Sequence, residues 1–461
     1  MSLYPPQIAG IAPVLNPTRR YILNWEMGCG KSVGTCEFMN QHRTPPKTLV
    51  VCPAMVRLDW EKAFTKFYQY KTHIGIHRFG FRKNLTKAQT EELFLAHRAS
   101  VQIVSADLVG EITSIDFELI VLDEIHIYKN AKAVRSQQVR ELLAKNPQAF
   151  VLGLTGTLAP NDLGDIHNPI DLLWPGRFGN KYAFQHRYQN KTLKVINEQT
   201  GETRAKFVGI REEHAEELAY RLSALSTRVT RKDVAQYLPA FDINLLRIEV
   251  EKFDWKVGRD AKSIESALEY AANAKLTHVV EWVVNAKETT SHVAVLTHHK
   301  AVADAYVRAL QAKLPLEKIV HVDGDIPVDK RLALIDGAKA SDSAILVGTI
   351  QSLGLGISLT KFSQAICAEF HWSPGVMEQL LLRFSRLDSM VPSAMWFAMV
   401  PGTIDEIIAT RLEEKFKAIN PIAETGLVGS KLEGLLQLDD ATFLAGITEA
   451  AMALDEDEYH L

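Results

Sequence analysis

Short apolar runs alternate with helical patterns through most of the 461-residue chain. Leu49-Val50-Val51-Cys52, Val101-Gln102-Ile103-Val104, Leu119-Ile120-Val121-Leu122 and Ala149-Phe150-Val151-Leu152 are short, β-rich and bounded by polar residues. Unbroken runs of this length predict strands buried on both faces. Trp60 to Tyr68 and Lys87 to His97 show helical spacing between them. Such alternation predicts a doubly wound, mostly parallel sheet. A second series begins near residue 245, with strands at Val293–Leu296, Ile319–Val322, Ala344–Val347, Ala365–Ala368 and Trp396–Val400. Helices are expected at Ala301 to Leu314 and Pro327 to Ala338. The pattern therefore predicts two α/β units, about 1–235 and about 245–420. Residues 176–235 break the alternation with a polar stretch (Asn180 to Gly209) and then a helix (Glu212 to Leu225). They read as a protrusion inserted at about 176–226. The expected domains are a first lobe over 1–235, a linker and lobe start over 236–260, a second lobe over 261–420 and an acidic tail over 421–461.

Composition narrows the class. A chain this long exceeds one hydrophobic core, and 47% hydrophobic with 23% charged residues is a globular balance. No run of eighteen apolar residues predicts a membrane span, and the first residues carry no secretory pattern. The four cysteines (Cys29, Cys36, Cys52, Cys367) are scattered, which fits a reducing, cytoplasmic setting and argues against a zinc module. The net charge of −3 is uneven: from residue 400 onward four basic residues face thirteen acidic ones, leaving 48 basic against 42 acidic elsewhere. A basic body with an acidic tail permits a polyanionic partner.

The chemistry centres on Asn24-Trp25-Glu26-Met27-Gly28-Cys29-Gly30-Lys31-Ser32, between a strand at Arg20–Leu23 and a helix at Val33–Gln41. Gly-Lys-Ser opening a helix is the close of a phosphate-binding loop. Glycines let backbone N–H groups approach phosphate, Lys31 reaches the β/γ-phosphates, and the Ser32 hydroxyl ligates Mg²⁺. Trp25 occupies the place of that motif's first glycine. Asp123-Glu124-Ile125-His126 lies at the carboxyl end of an apolar run, where open α/β sheets bind ligands. There Asp123 can hold Mg²⁺ and Glu124 can polarise the attacking water. Leu154-Thr155-Gly156-Thr157 supplies a small hydroxyl-bearing turn after the next strand. Gln379, Arg383 and Arg386 are spaced by four and three, on one helix face, as candidates to clamp phosphates.

The order of these motifs resembles superfamily-two helicases, and within them the Swi/Snf-type DNA translocases, over roughly residues 3–415. Met27 to Ser32 resembles that family's first motif, in which the early glycine is usually absent. Leu3-Tyr4-Pro5-Pro6-Gln7 resembles its opening segment, whose glutamine reads adenine. Val51-Cys52-Pro53-Ala54 with Trp60 resembles motif Ia, and Asp123 to His126 followed by Lys129-Asn130 resembles its acidic box. Arg231-Lys232-Asp233-Val234 with Leu238-Pro239 is similar to the element joining the lobes. Asp323-Gly324 with Arg331, Thr349 with Gly354 to Leu359, and Trp372-Ser373-Pro374 leading to Gln379, Arg383 and Arg386 resemble later motifs. The short chain without large insertions most resembles the annealing-helicase or fork-remodelling branch, or a compact microbial or viral member. Three positions depart from the family: Leu158 where proline is usual, bulky Ile125, and Leu387-Asp388-Ser389 after Arg386.

The resemblance implies two tandem RecA-like doubly wound parallel-sheet lobes with an ATP cleft between them. Gln7, Met27, Gly28, Cys29, Gly30, Lys31 and Ser32 would bind ATP, with Ser32 and Asp123 on Mg²⁺. Lys31, Asp123, Glu124, Gln379, Arg383 and Arg386 would perform catalysis. Ser105, Thr297, Thr349, Arg57 and Lys129 would hold nucleic acid through phosphates. The expected activity is ATP-driven movement of a monomer along duplex or forked DNA. A strand-separating DNA or RNA helicase and a nucleotide-gated binding module with little turnover are the alternatives.

Overall fold

Continuous apolar runs become interior strands, because a strand covered by helices on both faces has no side to give to water. The computed structural model describes residues 3–11, 19–81, 84–113, 116–156, 158, 163–197, 202–237, 239–250, 264–353, 358–371, 374–385, 389, 391–406 and 408–409. They form two units, the first ending at Ala235 and the second beginning at Gln236.

The first unit holds a seven-stranded sheet of β1 (Arg20–Trp25), β2 (Thr48–Cys52), β3 (Ile74–His77), β4 (Val101–Ser105), β5 (Leu119–Leu122), β6 (Phe150–Thr155) and β9 (Ser226–Val229). Its order is β3-β4-β2-β5-β6-β1-β9, and every pairing is parallel. Helices at Lys31–Asn40, Arg57–Phe67, Lys87–Arg98 and Val134–Lys145 occupy the crossovers. The register sets Asn24 opposite Thr155 and Leu122 opposite Gly153. The carboxyl ends of β1, β5 and β6 thus lie side by side, although their loops are far apart in the chain.

The second unit holds a six-stranded parallel sheet of β10 (Phe241–Arg247), β11 (His292–Thr297), β12 (Ile319–Val322), β13 (Ala344–Thr349), β14 (Gln364–Cys367) and β15 (Ser393–Met399). Its order is β10-β15-β14-β11-β13-β12. Thr297 and Thr349 are register partners at its carboxyl edge. Two parallel sheets layered with helices are the expected fold class.

The structure adds detail to the polar stretch at 180–209, for which the sequence pattern specifies no elements. This stretch forms a helix, Lys181–Tyr188, and an antiparallel ribbon of β7 (Asn190–Asn197) and β8 (Glu202–Val208). The following helix is shorter than expected, Ala215–Ser223 after a single 3₁₀ turn. Strands β3, β9 and β10 also escape the sequence pattern. All three lie at sheet edges. An edge strand is half-covered, so it needs no continuous apolar run, and Ser226-Thr227-Arg228-Val229 has none.

Candidate active site

The phosphate loop hangs from β1. Gly28 and Gly30 have φ of 80° and 82°, a left-handed conformation that a Cβ would strain. Gly30 caps the helix Lys31–Asn40, and no side chain caps its first N–H groups. Uncapped N–H groups at a helix start form an anion site. Lys31 Nζ donates to the Trp25 carbonyl at 3.1 Å. Gln7 is buried, its amide bracing the loop: Nε2 donates to the Cys29 carbonyl at 2.9 Å and Oε1 accepts from Tyr4 N at 2.8 Å. The Cys29 thiol is buried and pushed up to about 12, chiefly by burial, so it is no nucleophile.

Trp25 explains the missing glycine. Its indole is fully buried between two helices whose glycines leave room for it; a Cβ at Gly10 or Gly34 would come within 2.7 or 2.8 Å of the ring. Its Nε1 donates to Thr227 Oγ1 at 3.2 Å. The side chain is thus packed against the helices Pro5–Ile11 and Lys31–Asn40 and tied to β9.

Asp123 and Glu124 follow β5 immediately. Trp60, from the helix after β2, donates its indole N–H to Asp123 Oδ2 at 2.8 Å, and Glu124 N donates to Oδ1 at 3.0 Å. Burial, then Glu124, push the Asp123 carboxyl up to about 6, against the lowering pull of the Trp60 N–H and Lys31. Glu124 has φ of 51°, the single positive value outside glycine among the described residues. Strain of this kind accompanies side chains held in a functional direction. His126 Nδ1 lies 3.2 Å from Glu124 Oε2 and 3.1 Å from Thr155 Oγ1, linking the acidic box to the turn after β6. Gly156 completes the ring of loops, since a Cβ there would sit 3.3 Å from Met27 Cγ and 3.7 Å from Lys31 Nζ.

Two family departures have a structural account. Ile125 is fully buried over β6, where a Cβ on Gly153 would lie 2.8 Å from its Cδ1, so the larger side chain is matched by the absence of one opposite. Leu158 joins the hydrophobic core of the first unit. Residues 386–388 lie outside the described residues.

Mg²⁺ fits this donor set. The residues expected to hold it offer a hydroxyl, Ser32, and a carboxylate, Asp123. Among the described residues no three His, Cys, Asp or Glu side chains cluster as a metal site. Few protein oxygens, completed by phosphate oxygens and water, are the usual surroundings of Mg²⁺ on a nucleotide.

The sheet order thus gathers Gln7, Met27, Gly28, Cys29, Gly30, Lys31, Ser32, Asp123 and Glu124 in the first unit. Arg383 lies in the second, half-buried on the helix Pro374–Phe384, its carbonyl accepting from Leu359 N at 2.8 Å. Gln379 falls on the same helix, its side chain outside the described residues, and Arg386 lies outside them altogether.

The nucleic-acid candidates separate. Thr297 and Thr349 are buried neighbours at one sheet edge; Thr349 Oγ1 donates to Ser352 Oγ at 2.7 Å. Beside them the buried Glu369 accepts from His298 N at 2.6 Å and His299 N at 2.7 Å, and pairs with the His299 ring, fixing the turn after β11. Ser105 is buried at the end of β4. Arg57 holds the carbonyls of Ala54 and His77 at 2.8 and 2.7 Å, and Lys129 pairs with Asp165 at 3.1 Å. Both cations are therefore anchored within the first unit. Trp60 as the partner of Asp123, and Glu369, had no spacing signal; each pair meets only because its strands are neighbours in the sheet.

A doubly wound sheet with a Gly-Lys-Ser loop, an acid pair and an uncapped helix start defines a nucleotide-binding protein of the P-loop class. The SNF2-related domain family matches residues 14–301, and the helicase conserved C-terminal domain matches 274–388. The chain belongs to the SNF2-related family. It is 24% identical over 451 residues to a Caenorhabditis elegans homologue of SWI/SNF-related matrix-associated actin-dependent regulator of chromatin subfamily A-like protein 1, covering 91% of this chain and 62% of that protein. It is 22% identical over 436 residues to the human DNA annealing helicase and endonuclease ZRANB3, covering 90% of this chain and 40% of that one. The chain thus spans less than two thirds of these relatives. Among solved structures it is similar to the Sulfolobus solfataricus SWI2/SNF2 ATPase core in complex with dsDNA, at 18% identity, 95% and 98% coverage of the two chains, and a TM-score of 0.41.

Proposed function

We propose that this chain is a nucleic-acid-stimulated ATPase that moves along duplex or forked DNA, remodelling or annealing it. The observation carrying this reading is the convergence of the uncapped helix start at Lys31, the Asp123-Glu124 pair and the Thr155-Gly156 turn at one end of one sheet. Gly28, Gly30 and Lys31 would hold the phosphates, and Ser32 and Asp123 would hold Mg²⁺. When bound with the nucleotide, that ion neutralises phosphate charge. Glu124, directed by its backbone and by His126, orients the attacking water. Arg383 and Arg386 supply positive charge to the γ-phosphate from the second unit when the units close on ATP; such arginines contribute about 10³–10⁵ in kcat elsewhere. Closure then links nucleotide state to movement. Thr297 and Thr349 set the shape of the turns at the carboxyl edge of the second sheet, which would hold the DNA backbone through phosphates, so the grip is independent of sequence.

ATP hydrolysis measured without nucleic acid, and with single-stranded, duplex and forked DNA and RNA, tests the reading. Stimulation by duplex or forked DNA is expected. No stimulation by any of them refutes the translocase, and stimulation by RNA alone reassigns its track.

A further inference from the structure

Glu26 lies inside the phosphate loop, and the chain leading toward the second unit converges on its carboxylate. Arg228, in β9, donates from Nη2 to Glu26 Oε1 at 2.7 Å. The backbone N–H of Arg231 donates to the other oxygen, Oε2, at 2.8 Å. Glu26 N in turn donates to the Val229 carbonyl at 2.9 Å. Arg228 does more than pair: Nη1 reaches the Asn24 carbonyl at 3.1 Å, Asn24 Oδ1 at 3.0 Å and the Gly156 carbonyl at 2.9 Å. One guanidinium therefore joins the exit of β1, the phosphate loop and the turn after β6, the walls around Lys31. The residues after Arg231 are set by a closed turn in which Thr230 N donates to Asp233 Oδ2 at 2.7 Å and Asp233 N to Thr230 Oγ1 at 3.3 Å. Three residues on, at Gln236, the second unit begins.

We propose that Glu26 and Arg228 are a positioning pair that transmits the state of the phosphate loop to the chain leading into the second unit. The physical logic is one of shared acceptors. Glu26 has one oxygen for the arginine and one for the Arg231 amide, so a shift of the loop on the scale of a hydrogen bond moves both. The Arg228 and Glu26 side chains are 42% and 32% exposed, and ion pairs this open to water add little to folding. Their number and convergence are better suited to geometry than to stability. The proposal rests on the ATP-driven reading above.

Glu26→Gln is the informative variant, because glutamine keeps the size but offers one acceptor where two are needed. DNA-stimulated kcat is expected to fall roughly tenfold or more, the scale of one charge-assisted hydrogen bond. ATP affinity by calorimetry is expected to stay within about threefold and the melting temperature close to wild type, because the pair is exposed. Hydrogen exchange at the Arg231 amide is expected to rise. The Glu26→Arg/Arg228→Glu swap restores an ion pair but gives Arg231 no acceptor, so it is expected to stay impaired. Undiminished stimulation, unaltered exchange at Arg231, parallel loss of melting temperature and affinity, or rescue by the swap would each overturn the proposal. Wild-type protein that no nucleic acid stimulates would refute the ATP-driven reading instead, while exchange at Arg231 with and without ATP would still report on the clasp.

Discussion

Lys275 and Asp405 form an ion pair with both side chains fully buried, at 2.6 Å. Lys275 Nζ also donates to the Ala398 carbonyl at 2.6 Å and lies 5.4 Å from the Phe370 ring centre. Asp405 Oδ2 also accepts from Val400 N at 3.2 Å. The pair bolts the segment after β15 to the helices before β11. Lys275→Met keeps the alkyl stem and deletes the charge, leaving a carboxylate in the core without a counter-ion. Breaking a buried pair in this way costs about 3–5 kcal/mol. That is a large share of the ~5–15 kcal/mol that holds a typical domain together. Adding Asp405→Asn removes the stranded charge while keeping an acceptor for Val400, so the double variant should recover at least about 2 kcal/mol, the two sites being in contact. Burial already raises the Asp405 carboxyl and Lys275 opposes that rise; losing the lysine raises it further. A carboxyl raised in the folded state costs nothing where both states are protonated, and its cost grows as pH rises from the unfolded value to the folded one. The Lys275→Met deficit should therefore shrink on acidification. Equilibrium urea unfolding followed by hydrogen exchange in β15, at pH 5 and pH 8, measures this. Additive single effects, a deficit under about 1 kcal/mol, or one insensitive to pH would refute the reasoning, since a stranded buried charge predicts none of them.

Glu124→Gln should bind ATP and hydrolyse it very slowly, and near-normal turnover would remove Glu124 from the water-positioning role. Arg386→Ala should spare ATP binding and lower kcat by about 10³ or more; a loss confined to affinity would contradict the finger role. Burial, then Glu124, raise the Asp123 carboxyl on folding, so its charge costs stability that is absent where both states are protonated and grows as pH rises through the folded value. Asp123→Asn should abolish that dependence, so its stability relative to wild type should improve between pH 5 and pH 8; an unchanged difference in urea midpoint would show that the charge carries no such cost. Gly153→Ala should destabilise by about 1–3 kcal/mol through overpacking, and Ile125→Val beside it should recover part of the loss, as thermal melts would show; an undisturbed single variant would mean the core can yield there.

Interior strands were legible because burial on both faces demands a continuous apolar run, as at Leu119–Leu122. The phosphate loop and acid pair were legible because their chemistry is local, with neighbouring residues performing one task. What stayed hidden was non-local or half-exposed. The β7–β8 ribbon is mostly polar, so it reads only as a polar protrusion without a strand signal. Trp60 meets Asp123 only because β2 lies beside β5. Arg228 meets Glu26 across a separation of 202 residues because β9 closes the sheet against β1. Ile125 was an anomaly in one dimension, and Gly153 across the strand accounts for it in three.

The tryptophan that displaces the first glycine gives the protein an optical property of its own. The carbonyl of Trp25 holds the Lys31 ammonium, its ring packs on the helices of Gly10 and Gly34, and the Trp60 N–H ends on Asp123. Two of the chain's seven tryptophans are thus hydrogen-bonded to residues of the candidate site, one through its carbonyl and one through its indole. A nucleotide drawing Lys31 away would change the field at Trp25, and a metal held by Asp123 would change the hydrogen bond of Trp60. A variant keeping only one of these two tryptophans is expected to report binding at the site through its emission, without a label.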